Sequence, residues 1–166
     1  MFWLRKHSIV IVLILVAGLV FIKEQVLTRT SPAFGSTNQG IYFTIDEVYD
    51  GDTIYVSIPN IPPVLGQRIG IRLVGIDTPE MHDNDTCVRS MARVARDTLA
   101  SFLIAGTKVE LVNLTRDKYF RLDGDFLVDG RSAVQHMLDK SRAQKYTGTG
   151  PKPVWKCQQE WLTPTN

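Results

Sequence analysis

The sequence predicts a mainly β domain with helices, an α+β fold built on a small closed or partly open barrel. Short runs rich in β-branched and aromatic residues recur from Ile41 to Val128, bounded by Gly, Pro, Asp or Asn. Asp50-Gly51 separates two of these runs, and Asp-Gly between apolar runs is a strong hairpin signal. One helix-period segment is inserted between the third and fourth runs, and several short strands with one such insertion suggest a barrel.

The chain opens with a short basic head, Arg5 and Lys6, followed by an unbroken apolar run from Ser8 to Ile22. Its 15 residues span about 22 Å as a helix. That is short for a membrane span and at the long end of a signal-peptide core. No small-x-small pattern directly follows Ile22, where Lys23 and Glu24 come next. Residues 1–22 are therefore expected to be a hydrophobic helix retained as a signal anchor, with a cleaved signal peptide as the alternative. Basic residues ahead of the run predict a cytoplasmic N-terminus and an exported domain on the periplasmic or extracellular side. Lys23 to Gly40, rich in Thr, Ser, Pro, Gly and Asn, reads as a flexible tether.

Ile41–Ile45 with Val48-Tyr49 reads as the first strand and Ile54–Ile58 as its return. Residues 59–68 read as a loop, and Ile69–Ile76 as a third, continuous strand. Val88 to Ile104 reads as a helix, with Val88, Met91, Ala92, Ala95, Leu99, Phe102 and Leu103 on one face. Gly106 ends it. Thr107–Leu114 alternates as a strand, Arg116–Arg121 forms a loop, and Phe126–Val128 is a strand ending in the turn Asp129-Gly130. Ser132 to Lys140 is a short helix with Ser132 as its N-cap. From Tyr146 the chain is rich in Gly, Pro and Thr, with residues 158–166 as a C-terminal tail.

The formal charge of +2 divides unevenly. Arg5, Lys6, Lys23 and Arg29 against Glu24 leave +3 in the first 35 residues and −1 in the other 131. The domain thus carries no overall basic excess, and an anionic ligand must be held by a few placed arginines. Two cysteines, Cys87 and Cys157, read as a disulfide if the domain is exported and as separate thiols if it is cytosolic. A bridge would close a loop of 70 residues and contribute about 4 kcal/mol on the chain-entropy relation.

The chemistry concentrates in Ile71–Glu80, where Arg72, Asp77, Thr78 and Glu80 fall within nine residues. Asp50 and Asp52 lie upstream, and Arg121 downstream. Carboxylates at a turn and at a strand end can hold a hard cation, and guanidiniums can hold a phosphate. The bland alternatives are turn chemistry for Asp50 and Asp52, an outward strand face for Arg72, and solvated surface for Arg121 and Glu80. Pro79 biases Thr78 to an extended backbone, which can aim Glu80 at a water near the metal. No Cys/His set stands at zinc spacing.

Three stretches in order resemble one family. They are Asp50-Gly51-Asp52-Thr53, then Arg72-Leu73 with Asp77-Thr78-Pro79-Glu80, then Asp117-Lys118-Tyr119-Phe120-Arg121 with Asp129-Gly130. The family is that of the staphylococcal-type, thermonuclease-like nucleases. The resemblance implies an OB-fold-like five-stranded barrel with two or three helices, spanning residues 41–157. It implies a Ca²⁺-dependent nuclease that cuts DNA and RNA with little sequence specificity and leaves 3′-phosphate ends. Asp52 and Asp77 would bind Ca²⁺ through carboxylates and Thr78 through its carbonyl. Glu80 would activate or orient the attacking water, and Arg72 and Arg121 would hold the scissile phosphate. Lys118 and Tyr119 would line the nucleotide pocket.

Phe120 and Leu122 stand where glycine is frequent in the family, and Ser141-Arg142 replaces a usual Gly-Leu. A Cys87–Cys157 bridge is expected to tie down the tail in place of the long third helix of the best-known members. Partners are expected to be DNA and RNA, and a membrane through the N-terminal segment, with no protein partner and a monomeric state. The competing readings are a non-catalytic nucleic-acid-binding module on the same barrel and an interaction protein that binds Ca²⁺ for structure alone. Retention of Asp52, Arg72, Asp77, Glu80 and Arg121 together favours the enzyme.

Overall fold

The structure, a computed structural model, describes residues 34–37, 42–116 and 121–162. The N-terminal hydrophobic segment, Lys118, Tyr119 and Phe120 lie outside the described residues. Among the described residues no helix is long and apolar enough to cross a membrane.

The strands are β1 (Phe34–Thr37), β2 (Tyr42–Val48), β3 (Thr53–Ser57), β4 (Ile69–Leu73) and β5 (Gly75–Asp77). They continue with β6 (Val109–Arg116), β7 (Leu122–Val128), β8 (Arg131–Ser132) and β9 (Gln144–Tyr146). The helices are α1 (Pro63–Gly66), α2 (Thr86–Ala105) and α3 (Ala133–Asp139), with a final 3₁₀ turn at Gln159–Leu162. The fold is mixed α+β. Seven strands form one sheet in the order β4-β3-β2-β1-β6-β7-β8, curled so that β4 also pairs with β7. The β1–β6 and β4–β7 pairings are parallel, and the other pairings of this sheet are antiparallel.

Inside the curl, alternate residues of the strands meet α2 and α3. Phe43, Ile54, Val56, Ile71, Leu73, Val109, Leu111, Phe126 and Val128 are buried there. Phe43 and Phe126 pack edge to face at 5.8 Å. The buried face of α2 is Val88, Met91, Ala92, Ala95, Leu99, Phe102 and Leu103, the stripe its 3.6-residue period defines. Asp85 caps α2 by accepting from the Cys87 amide at 2.7 Å, and Ser132 caps α3 by accepting from the Gln135 amide at 3.0 Å.

The structure departs from the sequence reading at several places: Gln144–Tyr146 forms β9, and Trp161, in the segment read as a C-terminal tail, is buried at 5% exposure in the core. Phe34–Thr37, inside the segment read as a tether, is a strand that bridges β2 and β6. It adds a strand to the curl beyond the five of the expected barrel. Pro63 starts a helical turn within the loop read at 59–68, as its fixed φ allows at a first helical position. The single strand read at Ile69–Ile76 is broken at Val74, because Gly75 adopts φ +95°, a backbone state open to glycine at little cost. β7 begins at Leu122, four residues before the strand read there.

Candidate active site

The break at Gly75 builds the site. It lets β5 leave the main sheet and pair with β9, with Asp77 opposite Gln144. Asp77 is thereby carried to the end of β4 and buried to 2% exposure, with Thr78 at 3%. On the neighbouring strand, Thr53 pairs with Arg72, and the Leu73 amide donates to the Asp52 carbonyl at 2.8 Å. Asp52 therefore sits beside Arg72. Gly51 lets this hairpin end close down, since a Cβ there would lie 2.8 Å from both Ala95 Cβ and Thr78 Cγ2.

Arg72 lies between two carboxylates. Its Nη1 is 3.0 Å from Asp52 Oδ1 and its Nη2 is 3.6 Å from Asp77 Oδ1. Asp52 also accepts from the Thr53 hydroxyl at 3.0 Å, and its amide donates to Asp50 Oδ1 at 3.0 Å. Burial pushes the Asp52 carboxyl up to about 7. The Asp50 charge adds to the rise, and the Arg72 charge offsets only part of it. Burial also raises Asp50. Desolvation here outweighs an ion pair at good distance, which marks carboxylates crowded beyond what one guanidinium neutralises.

Asp77 has a divided environment. Its Oδ2 accepts from the Trp155 indole N–H at 2.9 Å. Its Oδ1 is buried and accepts no hydrogen bond, although Arg72 Nη2 and Lys152 Nζ, the latter at 3.3 Å, lie within ionic reach. Lys152 Nζ bonds more closely to Glu80 Oε1, at 2.8 Å. That bond raises the Lys152 pKa above its ordinary value despite partial burial. His82 lies outside this set and meets the Tyr49 hydroxyl at 3.1 Å.

Beside these groups lies a pocket of about 940 Å³ lined by Arg72, Arg121, Lys152, Asp50, Glu80 and Asp123, among others. The structure thus brings Arg72, Glu80 and Arg121 into one pocket lining, with Asp52 and Asp77 outside the lining and in contact with Arg72. Leu122 does not line the pocket and packs against the core instead. Among the described residues no group of three or more His, Cys, Asp or Glu side chains is placed to hold a metal ion. The donor set still suits a hard cation that keeps part of its water. It has hard carboxylate oxygens, an excess of negative charge at Asp50 and Asp52, and a buried carboxylate oxygen without a hydrogen bond.

Lys152 and Trp155 are site residues that the sequence reading missed. Both lie in the Gly/Pro-rich stretch after Tyr146, where nothing local marks a functional side chain. The stretch is held at one end by the β5–β9 pairing and at the other by a Cys87–Cys157 disulfide, Cα–Cα 5.4 Å. Asp50 and Asp123 also line the pocket; Asp123 faces Arg72 across the β4–β7 pairing, and its closeness to Arg121 in sequence was the available signal.

A pocket with cations at its wall and buried carboxylates behind them is suited to a phosphate-bearing ligand held against a hard cation. The family model of staphylococcal nuclease homologues matches residues 70–159, more than half of the chain, and the chain belongs to that family. The matched span includes Arg72, Asp77, Glu80, Arg121 and Lys152, while Asp52 precedes it. No curated protein matches the chain.

Proposed function

We propose that the protein is an exported, membrane-tethered, Ca²⁺-dependent nuclease. It hydrolyses phosphodiester bonds of DNA and RNA with little sequence specificity and leaves 3′-phosphate ends. The observation that most supports this is a pocket lined by Arg72, Glu80 and Arg121, whose Arg72 is paired in turn with the buried carboxylates of Asp52 and Asp77. The strand order, with β4 returning to β7, supports an OB-like barrel beneath it. The basic head, the apolar run Ser8–Ile22 and a disulfide, a bond suited to oxidising compartments, support export and tethering. The domain would act as a monomer.

In this reading Asp52, Asp77 and the Thr78 carbonyl would hold Ca²⁺. When bound, the ion supplies Lewis-acid polarisation of a phosphoryl oxygen. Glu80, more than half exposed at the pocket, accepts a proton from the water that attacks phosphorus. Arg121 and Arg72 hold the non-bridging oxygens and stabilise the charge that grows there as the bond to the 5′-oxygen breaks. Arg72 gives up part of its pairing with Asp52 and Asp77 to do so. Lys118 and Tyr119 complete the nucleotide pocket.

The test uses the full-length chain in detergent, with single-stranded and duplex DNA, in Ca²⁺ or in chelator. Cutting is expected only with Ca²⁺, and Glu80→Gln and Arg121→Ala should each lower kcat by about 10²- to 10³-fold. Cutting that survives chelation and both substitutions would refute the proposal. DNA binding without cutting by the wild type would instead establish the binding-module reading.

A further inference from the structure

We propose that Lys152 is a tethered cation of the site, which occupies the Asp77–Glu80 carboxylate pair when no divalent ion is bound and holds Glu80 in place when one is. This rests on the nuclease reading for the role of Glu80, but not for the competition with a cation.

The argument starts from the two ends of one side chain's contacts. Lys152 Nζ makes a hydrogen-bonded ion pair with Glu80 Oε1 at 2.8 Å and a looser contact with Asp77 Oδ1 at 3.3 Å. The looser contact falls on the buried Asp77 oxygen that has no hydrogen bond. An ammonium there offsets a carboxylate charge that burial makes costly to leave uncompensated. A divalent cation at the same oxygen meets Lys152 as a like charge and must displace it from Asp77. The shorter bond to Glu80 does not need to break. Glu80, otherwise an exposed carboxylate, then keeps a fixed partner.

The backbone is arranged to deliver this lysine. Tyr146 closes the β5–β9 pairing opposite Gly75, and its hydroxyl donates to the Gly150 carbonyl at 3.2 Å. Five residues beyond Lys152, Cys157 is bonded to α2 through Cys87. Between these anchors Trp155 donates to the other Asp77 oxygen at 2.9 Å and packs edge to face on Trp161 at 5.4 Å. The span is fixed at both ends and in its middle, so Lys152 is held over the carboxylates on an anchored strap. Because Lys152 acts through Glu80 and Asp77, it is a positioning residue.

The experiment compares the full-length wild type with Lys152→Met and Lys152→Arg. Ca²⁺ is titrated calorimetrically without substrate, and kcat and KM are measured on single-stranded DNA. Thermal melts check that each variant is folded. Lys152→Met is expected to bind Ca²⁺ at least fivefold more tightly, because the competing charge is gone. It should also lose at least tenfold in kcat with KM changed less than threefold. Lys152→Arg should restore both values toward wild type. A Ca²⁺ dissociation constant for Lys152→Met within twofold of wild type overturns the proposal, as does an absence of Ca²⁺ binding to both proteins or an unchanged kcat. If the wild type binds Ca²⁺ but cuts nothing, the nuclease reading fails, and the titration alone still decides whether Lys152 competes with the cation.

Discussion

Asp52 shows how one residue can be well paired and still electrostatically strained. Arg72 lies 3.0 Å from it, yet burial and the neighbouring Asp50 charge raise its carboxyl from 3.8 to about 7. A carboxyl raised in the folded state stabilises the fold below its unfolded pKa, and that contribution is lost as pH rises toward the folded value. Asp50, also raised by burial, acts in the same direction. In chelator, the wild type should therefore lose melting temperature relative to Asp52→Asn as pH rises from 3.8 to about 7, a comparison in which the opposing contribution of His136, whose pKa burial lowers, cancels. A difference between the two proteins that stays constant across this window would contradict the assignment. At this scale the sequence was informative where chemistry is local. Asp50-Gly51-Asp52 and Asp77-Thr78-Pro79-Glu80 are short motifs whose backbone demands are visible in the residues themselves. Arg72 was ambiguous, because a charged residue within an apolar strand can face either water or a site, and only the register with Thr53 places it beside Asp52.

Elements were legible in proportion to the strength of their period. The stripe on α2 repeats over 20 residues, so its buried face could be read directly. β7 could not be read this way. Its first residues, Leu122, Asp123, Gly124 and Asp125, have low strand propensity, and they are extended because β4 and β6 pair with them from both sides. The strap after Tyr146 is the extreme case, since its conformation comes from β5 and Cys87, both distant in sequence. The disulfide closes a 70-residue separation. Replacing both cysteines by serine should lower the unfolding free energy by about 4 kcal/mol on the chain-entropy relation, read as a lower urea midpoint. Reduction should lower the wild-type midpoint toward that of the double variant and leave the variant unchanged. Equal midpoints for oxidised wild type and variant would show that the bridge does not support the fold.

For the described domain as a whole, the curl is joined on one side by β1 and on the other by the β4–β7 pairing. The four-residue β1 pairs antiparallel with β2 and parallel with β6, and so joins the β2-β3-β4 meander to β6 and β7. Deleting Phe34–Thr37 from the full chain removes ladder hydrogen bonds on both sides. At about 1 kcal/mol net each, the loss should be on the order of 3 kcal/mol, with β6 amides losing protection in hydrogen exchange. Unchanged protection in β6 would mean that β2 and β6 hold together without it. The segment Lys23 to Gly40 around it is rich in Thr, Ser, Pro, Gly and Asn and reads as a tether, because a short strand between two others takes its register from their edges.

Composition, period and motif therefore determined the class of fold, the α2 core face, the Asp50-Gly51 hairpin and the residue types available for chemistry, because those properties act over a few residues. Tertiary structure decided which of those residues meet. It broke the third apolar run at Gly75 so that Asp77 turns inward. It set Arg72 between two carboxylates, and it brought Lys152 and Trp155 onto Asp77 and Glu80 from more than 70 residues away. Apart from the break at Gly75 and the Arg72–Asp77 pair, these are long-range contacts, held by strand register, burial and a covalent bond between distant segments, and they leave no periodic trace in the chain.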